Sequence, residues 1–345
     1  MKGTARTASA LFLTMLCLCA GRGNAGEALE LSLPVACEPR RTCFIQSYPD
    51  VDPSAQAKDY TCGSATYDQH NGVDFRLLSA KATDAGVAVL AAANGMVKAT
   101  RDGVPDIFLR DNKPGAVKGR ECGNGVVIVH TGGWETQYCH MKQGSVSVSR
   151  RQHVKRGQKL GLVGFSGMAD FAHLHLTVRH NGKLVDPFAP DAAAGACGFK
   201  VKDGGLWRRD AIAPFGYRNG EIIATGFTAS PPDLERLETD HTAFAPVRTD
   251  SPALLYYARF INLLAGDRVR LVVNGPGGPL IEQLSEPLER NKATYFSFAG
   301  KRRREAPWQQ GHYDARAEII RDGAVAAAAV GVLDLRAETA GGAGP

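Results

Sequence analysis

The sequence predicts a mainly β protein, in which a small antiparallel β-domain precedes a C-terminal β-sandwich of immunoglobulin-like type. Three observations lead to this prediction. Short segments of β-branched and apolar residues recur along the chain, Asn-Gly, Gly-Gly and Asp-Gly pairs separate them as hairpin turns would, and residues 62–190 show no amphipathic helix of ordinary length. At 345 residues the chain is also long enough for two domains.

The first 25 residues have the pattern of a cleaved secretory signal peptide. Lys2 and Arg6 precede an apolar run over 10–20, and Gly23 and Ala25 supply small residues for cleavage. The run is shorter than the ~20 apolar residues that span a bilayer, which disfavours the alternative of an uncleaved anchor. No second run is long enough to cross a membrane. We therefore expect an exported protein, either periplasmic or extracellular.

The charge balance gives no support for nucleic-acid binding. The formal net charge of +6 falls to +3 when the signal peptide is removed, because Lys2, Arg6 and Arg22 leave with no acidic residue. A mildly basic surface is compatible with approach to an anionic cell wall. The expected partners are therefore neither nucleic acid nor, after signal cleavage, a membrane, and the sequence leaves the oligomeric state open.

Six cysteines remain after the signal peptide, an even number that suits disulfide bonding outside the cytosol. Cys37 and Cys43 form the predicted local pair, and a bond between Cys122 and Cys139 would join two neighbouring strands. No Cys-x-x-Cys spacing occurs, which argues against a cysteine-rich zinc site.

The predicted organisation has six segments. They are a signal peptide over 1–25, an irregular arm over 26–60, the small β-domain over 61–190, a linker over 191–215, the β-sandwich over 216–336 and a disordered tail over 337–345. Prolines interrupt the arm, and the linker is rich in Ala, Gly and Pro. The arm could also cover a site in a latent form.

Strand patterns fill both β regions. In the first they are 86–93 and 96–100 around an Asn-Gly turn, 125–130 and 134–140 as a hairpin, 154–165, and a hairpin over 173–185. In the second they are 221–228, 253–262, 267–274, 294–298, 313–320 and 324–335, the last two joined by an Asp-Gly turn.

One strand pattern, over 172–179, carries two histidines. Its alternation places four polar side chains on the same face, His173, His175, Thr177 and Arg179. Two imidazoles therefore point in the same direction. Two exposed polar positions on a strand would give the same pattern, so this segment alone does not identify a site.

Two further segments supply histidines and a carboxylate. His70 and Asp74 are four residues apart and can meet if the chain bends at Gly72, and His140 ends another alternating run. Zinc binds neutral imidazole and carboxylate groups, and a catalytic site keeps about three protein ligands with one position open. His70, Asp74 and one histidine of the later pair would satisfy that count. The combination predicts a metal site assembled from sheet strands.

Residues from about 62 to 190 resemble the M23 family of zinc metallopeptidases, of the lysostaphin or LytM type. The matching pieces are His70-x-x-x-Asp74 with Gly72 inside it, Tyr138-x-His140, the turn Gly164-Phe165-Ser166-Gly167, the strand His173-Leu174-His175 and the closing Val185-Asp186-Pro187. The turn over 167–172 departs from the family pattern, and the resemblance does not cover the C-terminal half.

The resemblance implies a small antiparallel sheet with Zn²⁺ in an open groove. The implied zinc ligands are His70, Asp74 and His175, the second histidine of the pair. His140 and His173 would be the non-ligand catalytic histidines, which orient or deprotonate water and stabilise the oxyanion on the scissile carbonyl. A disulfide at the neighbouring cysteine would fix His140, which is a hypothesis.

By this resemblance the chain is an exported zinc-dependent endopeptidase that hydrolyses peptide bonds in peptidoglycan stem peptides or cross-links. The alternative is a non-catalytic LytM-type protein that binds peptidoglycan or activates a cell-wall amidase. Such proteins typically lose ligands, whereas this sequence keeps all of them. The C-terminal sandwich is either a targeting module or structural support for the catalytic half.

Overall fold

The structure is a computed structural model that describes Met1 and residues 29–113, 115–200 and 205–336. The predicted signal peptide, apart from Met1, and the predicted tail over 337–345 lie outside the described residues. Every ladder between the strands named below is antiparallel, so the prediction of a mainly β protein is confirmed. Within the described part of the chain, no helix is both long enough and apolar enough to span a bilayer.

The largest sheet has eight strands and carries Asp74, His140, His173 and His175. Its order is β1-β2-β9-β6-β5-β4-β7, with β10 paired to β9. The strands are β1 (Cys43–Ser47), β2 (Val73–Leu77), β4 (Gly95–Arg101), β5 (Asn124–Val129), β6 (Trp134–Met141), β7 (His153–Val154), β9 (His173–His180) and β10 (Lys183–Leu184). Short 3-10 turns follow β2, β4 and β5, at Ala80–Ala85, Leu109–Asp111 and Thr131–Gly133.

Two of the three hairpins predicted for the small β-domain are confirmed. Strands β5 and β6 pair directly, and β9 and β10 pair around the Asn-Gly turn. At that turn Asn181 and Gly182 have φ angles of 49° and 79°. A two-residue turn with two positive φ angles matches the twist of the flanking strands, which is why Asn-Gly favours a hairpin here.

The third predicted hairpin is wrong. Strand β3 (Ala88–Leu90) pairs with β8 (Lys159–Leu162) in a separate two-stranded sheet, whereas β4 lies in the large sheet. The three alanines after β3 are buried in the core, so the chain crosses between the sheets before it reaches the Asn-Gly pair. A continuous apolar run does not show where one strand ends and a crossing begins.

The segment 26–60 is more than an irregular arm. Its strand β1 pairs with β2, and all five residues of β1 are buried. Leu31 and Val35 are buried in the same hydrophobic core as the large sheet. The prediction is therefore wrong for this part, because a five-residue strand that is buried on both faces shows no alternation.

The described end of the predicted linker, residues 205–215, packs against the core instead of linking two free units. Trp207 and Phe215 contact Phe75 of β2 edge-on, with ring centroids 5.9 and 5.8 Å apart. The short helix α1 (Arg209–Ile212) lies between these two aromatic residues in the chain. Their large apolar area outweighs the Ala- and Gly-rich composition that predicted a linker.

Among the described residues three disulfides are formed, Cys37–Cys43, Cys62–Cys197 and Cys122–Cys139. The two predicted pairs are among them. The third joins residues 135 positions apart, and it ties the start of the small β-domain to the segment that follows it.

The C-terminal half contains two antiparallel sheets around one hydrophobic core. One has the order β11-β12-β15, and the other β14-β13-β16-β17. The strands are β11 (Glu221–Thr228), β12 (Ala253–Leu263), β13 (Arg268–Gly275), β14 (Gly278–Leu284), β15 (Lys292–Arg302), β16 (Gly311–Arg321) and β17 (Ala324–Leu335). Only β14 has no predicted counterpart, because it is an edge strand with a proline and mostly exposed side chains. The immunoglobulin-like type stays a prediction.

Buried polar contacts join the two halves. The helix α2 (Leu234–Thr239) carries Glu238, whose carboxylate oxygens lie 2.7 Å from Nη2 of Arg76 and 2.6 Å from Nη2 of Arg259. Both arginines are fully buried. In addition, Nδ2 of Asn262 donates to the carbonyl oxygen of Gln46 at 2.9 Å. The C-terminal half is therefore packed against β1 and β2.

Candidate metal centre

Three side chains from two strands and one loop meet at one point. The register of β2 and β9 places Asp74 directly opposite His175, and His70 precedes β2. The Asp74 Oδ1 atom is 2.8 Å from Nδ1 of His175 and 3.2 Å from Nε2 of His70. Those two nitrogens are 3.2 Å apart. All three residues are buried, and they are the group that could hold a metal ion.

Gly72 allows this approach. A Cβ atom at this position would lie 2.5 Å from Nε2 of His175 and 2.6 Å from the carbonyl oxygen of Leu176. Any side chain would therefore push the segment 70–74 away from β9. The close contact explains why the loop between the first two candidate ligands needs glycine.

Hydrogen bonds on the far side of each ring decide which nitrogen faces the centre. The Nδ1–H group of His70 donates to the carbonyl oxygen of Tyr48 at 2.7 Å. The Nε2–H group of His175 donates to Oδ1 of Asn71 at 3.0 Å. With these hydrogen bonds made, an uncharged ring at either position directs its other nitrogen toward Asp74, as metal-binding histidines do.

This donor set fits a metal cation. Two imidazole lone pairs and a carboxylate oxygen lie within hydrogen-bond distance of one another, and they repel unless a positive charge lies between them. Burial raises the pKa of Asp74, but the neighbouring His70 and His173 outweigh it and hold the pKa well below its usual range. The carboxylate is thus available as an anionic ligand.

The other two predicted site residues lie beside this group. The Nδ1–H of His140 donates to the carbonyl oxygen of Ser166, and the Nδ1–H of His173 donates to that of Phe171, both at 2.8 Å. The two rings are 4.5 Å apart between centroids. The Nε2 atom of His173 is 3.5 Å from Oδ1 of Asp74.

Burial keeps these two histidines uncharged near neutral pH. It lowers the pKa of His173, and it lowers that of His140 well below the usual range, with neighbouring imidazoles adding to the effect. The backbone of His140 is held in the left-handed region, at a φ of 60°, and its N–H donates to the carbonyl oxygen of Cys122 at 2.8 Å. The ring is therefore fixed through its own backbone and through Ser166.

An open groove of about 540 Å³ gives access to the centre. Six of the residues that line it are His70, His140, His175, Thr177, Gln137 and Arg179. Among the described residues, none from 26–60 lines the groove, so the proposed covering by the arm is not seen.

The sequence did not identify Tyr48 or Asn71 as part of the site. Tyr48 acts through its backbone oxygen and comes 22 residues before its partner, so it leaves no sequence signal. Asn71 directly follows a candidate ligand, and its side-chain oxygen could have been considered as a partner for an imidazole N–H.

Relatives of known name share about a third of their aligned residues with this chain. Cell division protein DipM of Caulobacter vibrioides is 33% identical over 108 residues, which are 30% of this chain and 15% of DipM. Peptidoglycan DD-endopeptidase ShyB of Vibrio cholerae is 32% identical over 122 residues, 35% of this chain and 23% of ShyB. DD-carboxypeptidase/endopeptidase Mpg of Neisseria meningitidis is 31% identical over 124 residues, which are 35% of this chain and 23% of Mpg. The chain thus matches less than a quarter of each relative's length.

Among solved structures, a zinc containing peptidase from Vibrio cholerae is 26% identical, with 44% of this chain and 41% of that chain covered and a TM-score of 0.27. The model of Peptidase family M23 matches residues 68–187. This range includes both segments that supply the candidate ligands, and it includes His140 and His173. Residues 68–187 of this chain therefore form a domain of peptidase family M23.

Proposed function

We propose that the chain is an exported zinc-dependent endopeptidase that hydrolyses peptide bonds in peptidoglycan stem peptides or cross-links. The observation that carries the proposal is the convergence of the His70, Asp74 and His175 side chains beside an open groove that His70 and His175 line. Two of the relatives are named as endopeptidases, and the name of ShyB includes peptidoglycan, which supports the substrate class. The three disulfides support export to an oxidising compartment.

His70, Asp74 and His175 would hold the zinc, since two imidazoles and one carboxylate are a common ligand set for catalytic zinc. When bound, the metal polarises the scissile carbonyl and lowers the pKa of the attacking water. His140 and His173 have their Nδ1–H groups engaged, so each keeps Nε2 free to accept a proton. The imidazolium formed in this way then stabilises the oxyanion and can return the proton to the leaving amine.

The alternative of a non-catalytic LytM-type protein, which binds peptidoglycan or activates an amidase, is not favoured. A protein that only binds has no need for five converging site residues. Here all five are buried, and the tautomers that suit a metal are held by hydrogen bonds.

Metal analysis and digestion of purified peptidoglycan test the proposal together. We expect the mature protein to contain stoichiometric zinc and to release peptide-bearing fragments from peptidoglycan. A chelator should abolish this release. The His175→Ala variant should lose zinc and more than about 100-fold of its activity, because even removal of a ligand's hydrogen-bond partner costs about 10- to 100-fold.

His180→Ala is a matched control, since His180 lies on the same strand and stacks on Trp134. It should keep both zinc and activity. A folded His175→Ala protein that digests peptidoglycan as the parent does would contradict the ligand assignment. A folded, zinc-loaded parent that releases no fragments would contradict the peptidase.

A further inference from the structure

Arg179 places a positive charge in the groove. It follows His175 and Thr177 on the same face of β9, and its side chain is 24% exposed. Among the described residues that line the groove, it is the one arginine or lysine. The groove therefore carries a fixed cation at one point along its length.

The charge of Arg179 is only partly compensated. Its Nη1 atom donates to Oε1 of Gln137 at 2.8 Å and lies 3.5 Å from Oε1 of Glu135. The other oxygen of Glu135 is 2.6 Å from Nζ of Lys98. Two cations thus share one carboxylate, and no hydrogen bond within the described part of the chain uses Nε or Nη2 of Arg179. The guanidinium retains both charge and donors for a ligand.

The position of this charge relative to the metal centre follows from strand geometry. Arg179 is four residues beyond His175, and a strand rises about 3.4 Å per residue, so the two Cα atoms are roughly 14 Å apart. An extended peptide has nearly the same rise. A peptide that lies along β9 would therefore bring a group about three to four residues from the cleaved bond to Arg179.

Resting on the proposed peptidase function, we propose that Arg179 forms a carboxylate-binding subsite that selects peptides with a free carboxylate a few residues from the cleaved bond. The planar guanidinium presents paired N–H donors that match the two oxygens of a carboxylate. Two acids, Asp68 and Glu121, line the same groove and would repel a carboxylate placed beside them. Attraction at one position and repulsion at others together give specificity.

The subsite is tested by measuring the dissociation constants of fluorescent cross-linked stem peptides. Each free carboxylate of the peptide is amidated in turn. For the parent protein, amidation of one particular carboxylate should weaken binding about tenfold or more, as expected for a charge-assisted hydrogen bond. For the Arg179→Gln variant, the dissociation constants of that amidated peptide and of the unmodified peptide should agree within about twofold. Arg179→Lys should keep part of the preference, because it retains a point charge.

Lys183→Gln is the matched control. Lys183 is exposed on the neighbouring strand β10 and does not line the groove, so this variant loses the same charge and should keep the full preference. Equal binding of all peptides by the parent protein, an unchanged preference in Arg179→Gln, or no binding of any peptide would each overturn the subsite.

Cleavage of the same peptides, measured in parallel, separates the two proposals. If the protein shows the binding preference but cuts no peptide, the proposed subsite stands and the proposed peptidase function fails. If it cuts every peptide with equal kcat/KM and binds every peptide with equal affinity, the peptidase function stands and the subsite fails.

Discussion

At the scale of single residues, the centre depends on which nitrogen of each histidine is engaged elsewhere. Four histidines each donate one N–H away from the centre, and the acceptors are Tyr48, Ser166 and Phe171 through backbone carbonyls and Asn71 through its side chain. Each ring is thus left with one free lone pair. A backbone carbonyl can hold the tautomer of a histidine whichever side chain the accepting residue carries. Replacing the side chains of Tyr48, Ser166 or Phe171 would therefore not test these hydrogen bonds directly.

A buried carboxyl outside the centre predicts a pH effect on stability. Burial raises the pKa of Asp186 to about 7, and the backbone N–H of Phe188 donates to its Oδ1 at 2.8 Å. The Oδ2 atom is buried and has no hydrogen-bond partner among the described residues. The unfolded chain would release this proton near pH 4, so the folded state binds one more proton between roughly pH 4 and 7. The contribution of this carboxyl to the free energy of unfolding is therefore fully present below pH 4. It decreases as the pH rises from 4 and is lost as the pH passes 7.

We expect Asp186→Asn to remove this dependence, because the amide does not ionise. At pH 8 the variant should be more stable than the parent by on the order of 4 kcal/mol, and at pH 4 the two should agree. Urea unfolding from pH 4 to 8 measures the difference, with the exposed Asp191 replaced by Asn as the control. Parallel curves for the parent and Asp186→Asn would show that the carboxyl is already ionised in the fold.

At the scale of secondary-structure elements, α2 connects the C-terminal half to the wall of the site. Its Glu238 pairs with Arg76 of β2, and that guanidinium lies 4.6 Å from the ring centroid of Phe171. The ring of Phe171 is in turn 4.5 Å from that of His173. One short helix therefore supports, through two side chains, a residue of the proposed catalytic machinery.

Removal of the Glu238 carboxylate should be costly. Glu238→Ala would leave Arg76 and Arg259 buried without their shared anion, and loss of one partner from a buried ion pair typically costs about 3–5 kcal/mol. Glu235→Ala on the same helix is the control, because Glu235 is exposed and only 3.7 Å from Arg110. That change should stay within about 0.5 kcal/mol. Urea unfolding measures the free energy of unfolding of both variants. Equal losses in the two would show that the buried ion pairs of Glu238 do not stabilise the fold.

At the scale of the whole molecule, the contacts between the two halves favour a supporting role for the C-terminal sheets. The predicted alternatives were a targeting module and structural packing. Gln46 of β1 accepts a hydrogen bond from Asn262 and donates one to the carbonyl oxygen of Ala293 at 2.7 Å. Together with the buried ion pairs, these contacts tie the edge of the large sheet to β12 and β15.

We therefore expect a chain that ends before β11 to unfold at a lower denaturant concentration than the full chain. The loss follows from the removal of the Glu238 ion pair with Arg76 and of the hydrogen bonds that join Gln46 to Asn262 and Ala293. Unfolding and peptidoglycan binding should be measured side by side. A truncated chain that is as stable as the full one and loses only wall binding would instead support the targeting module.

Local patterns in the sequence were enough to predict much of the fold. Strand patterns in the sequence predicted β5, β6, β9 and most strands of the C-terminal half, and the turns at Asn181-Gly182 and Asp322-Gly323 predicted two of the hairpins. The residue types at 70, 74 and in the 173/175 pair predicted a metal centre, because imidazole and carboxylate ligands are recognisable without knowing the fold, and the family resemblance then singled out His175. These features depend on residues that are close in sequence or on chemistry that each side chain carries by itself.

Only the tertiary structure decided the remaining features. The pairing of β3 with β8, the addition of β1 to the large sheet, the carbonyl of Tyr48 behind His70 and the ion pairs of Glu238 all join distant parts of the chain. Arg76 and Glu238, for example, are 162 residues apart. Such contacts form because burial brings apolar faces together and then requires each buried polar group to find a partner, a requirement that no local pattern records.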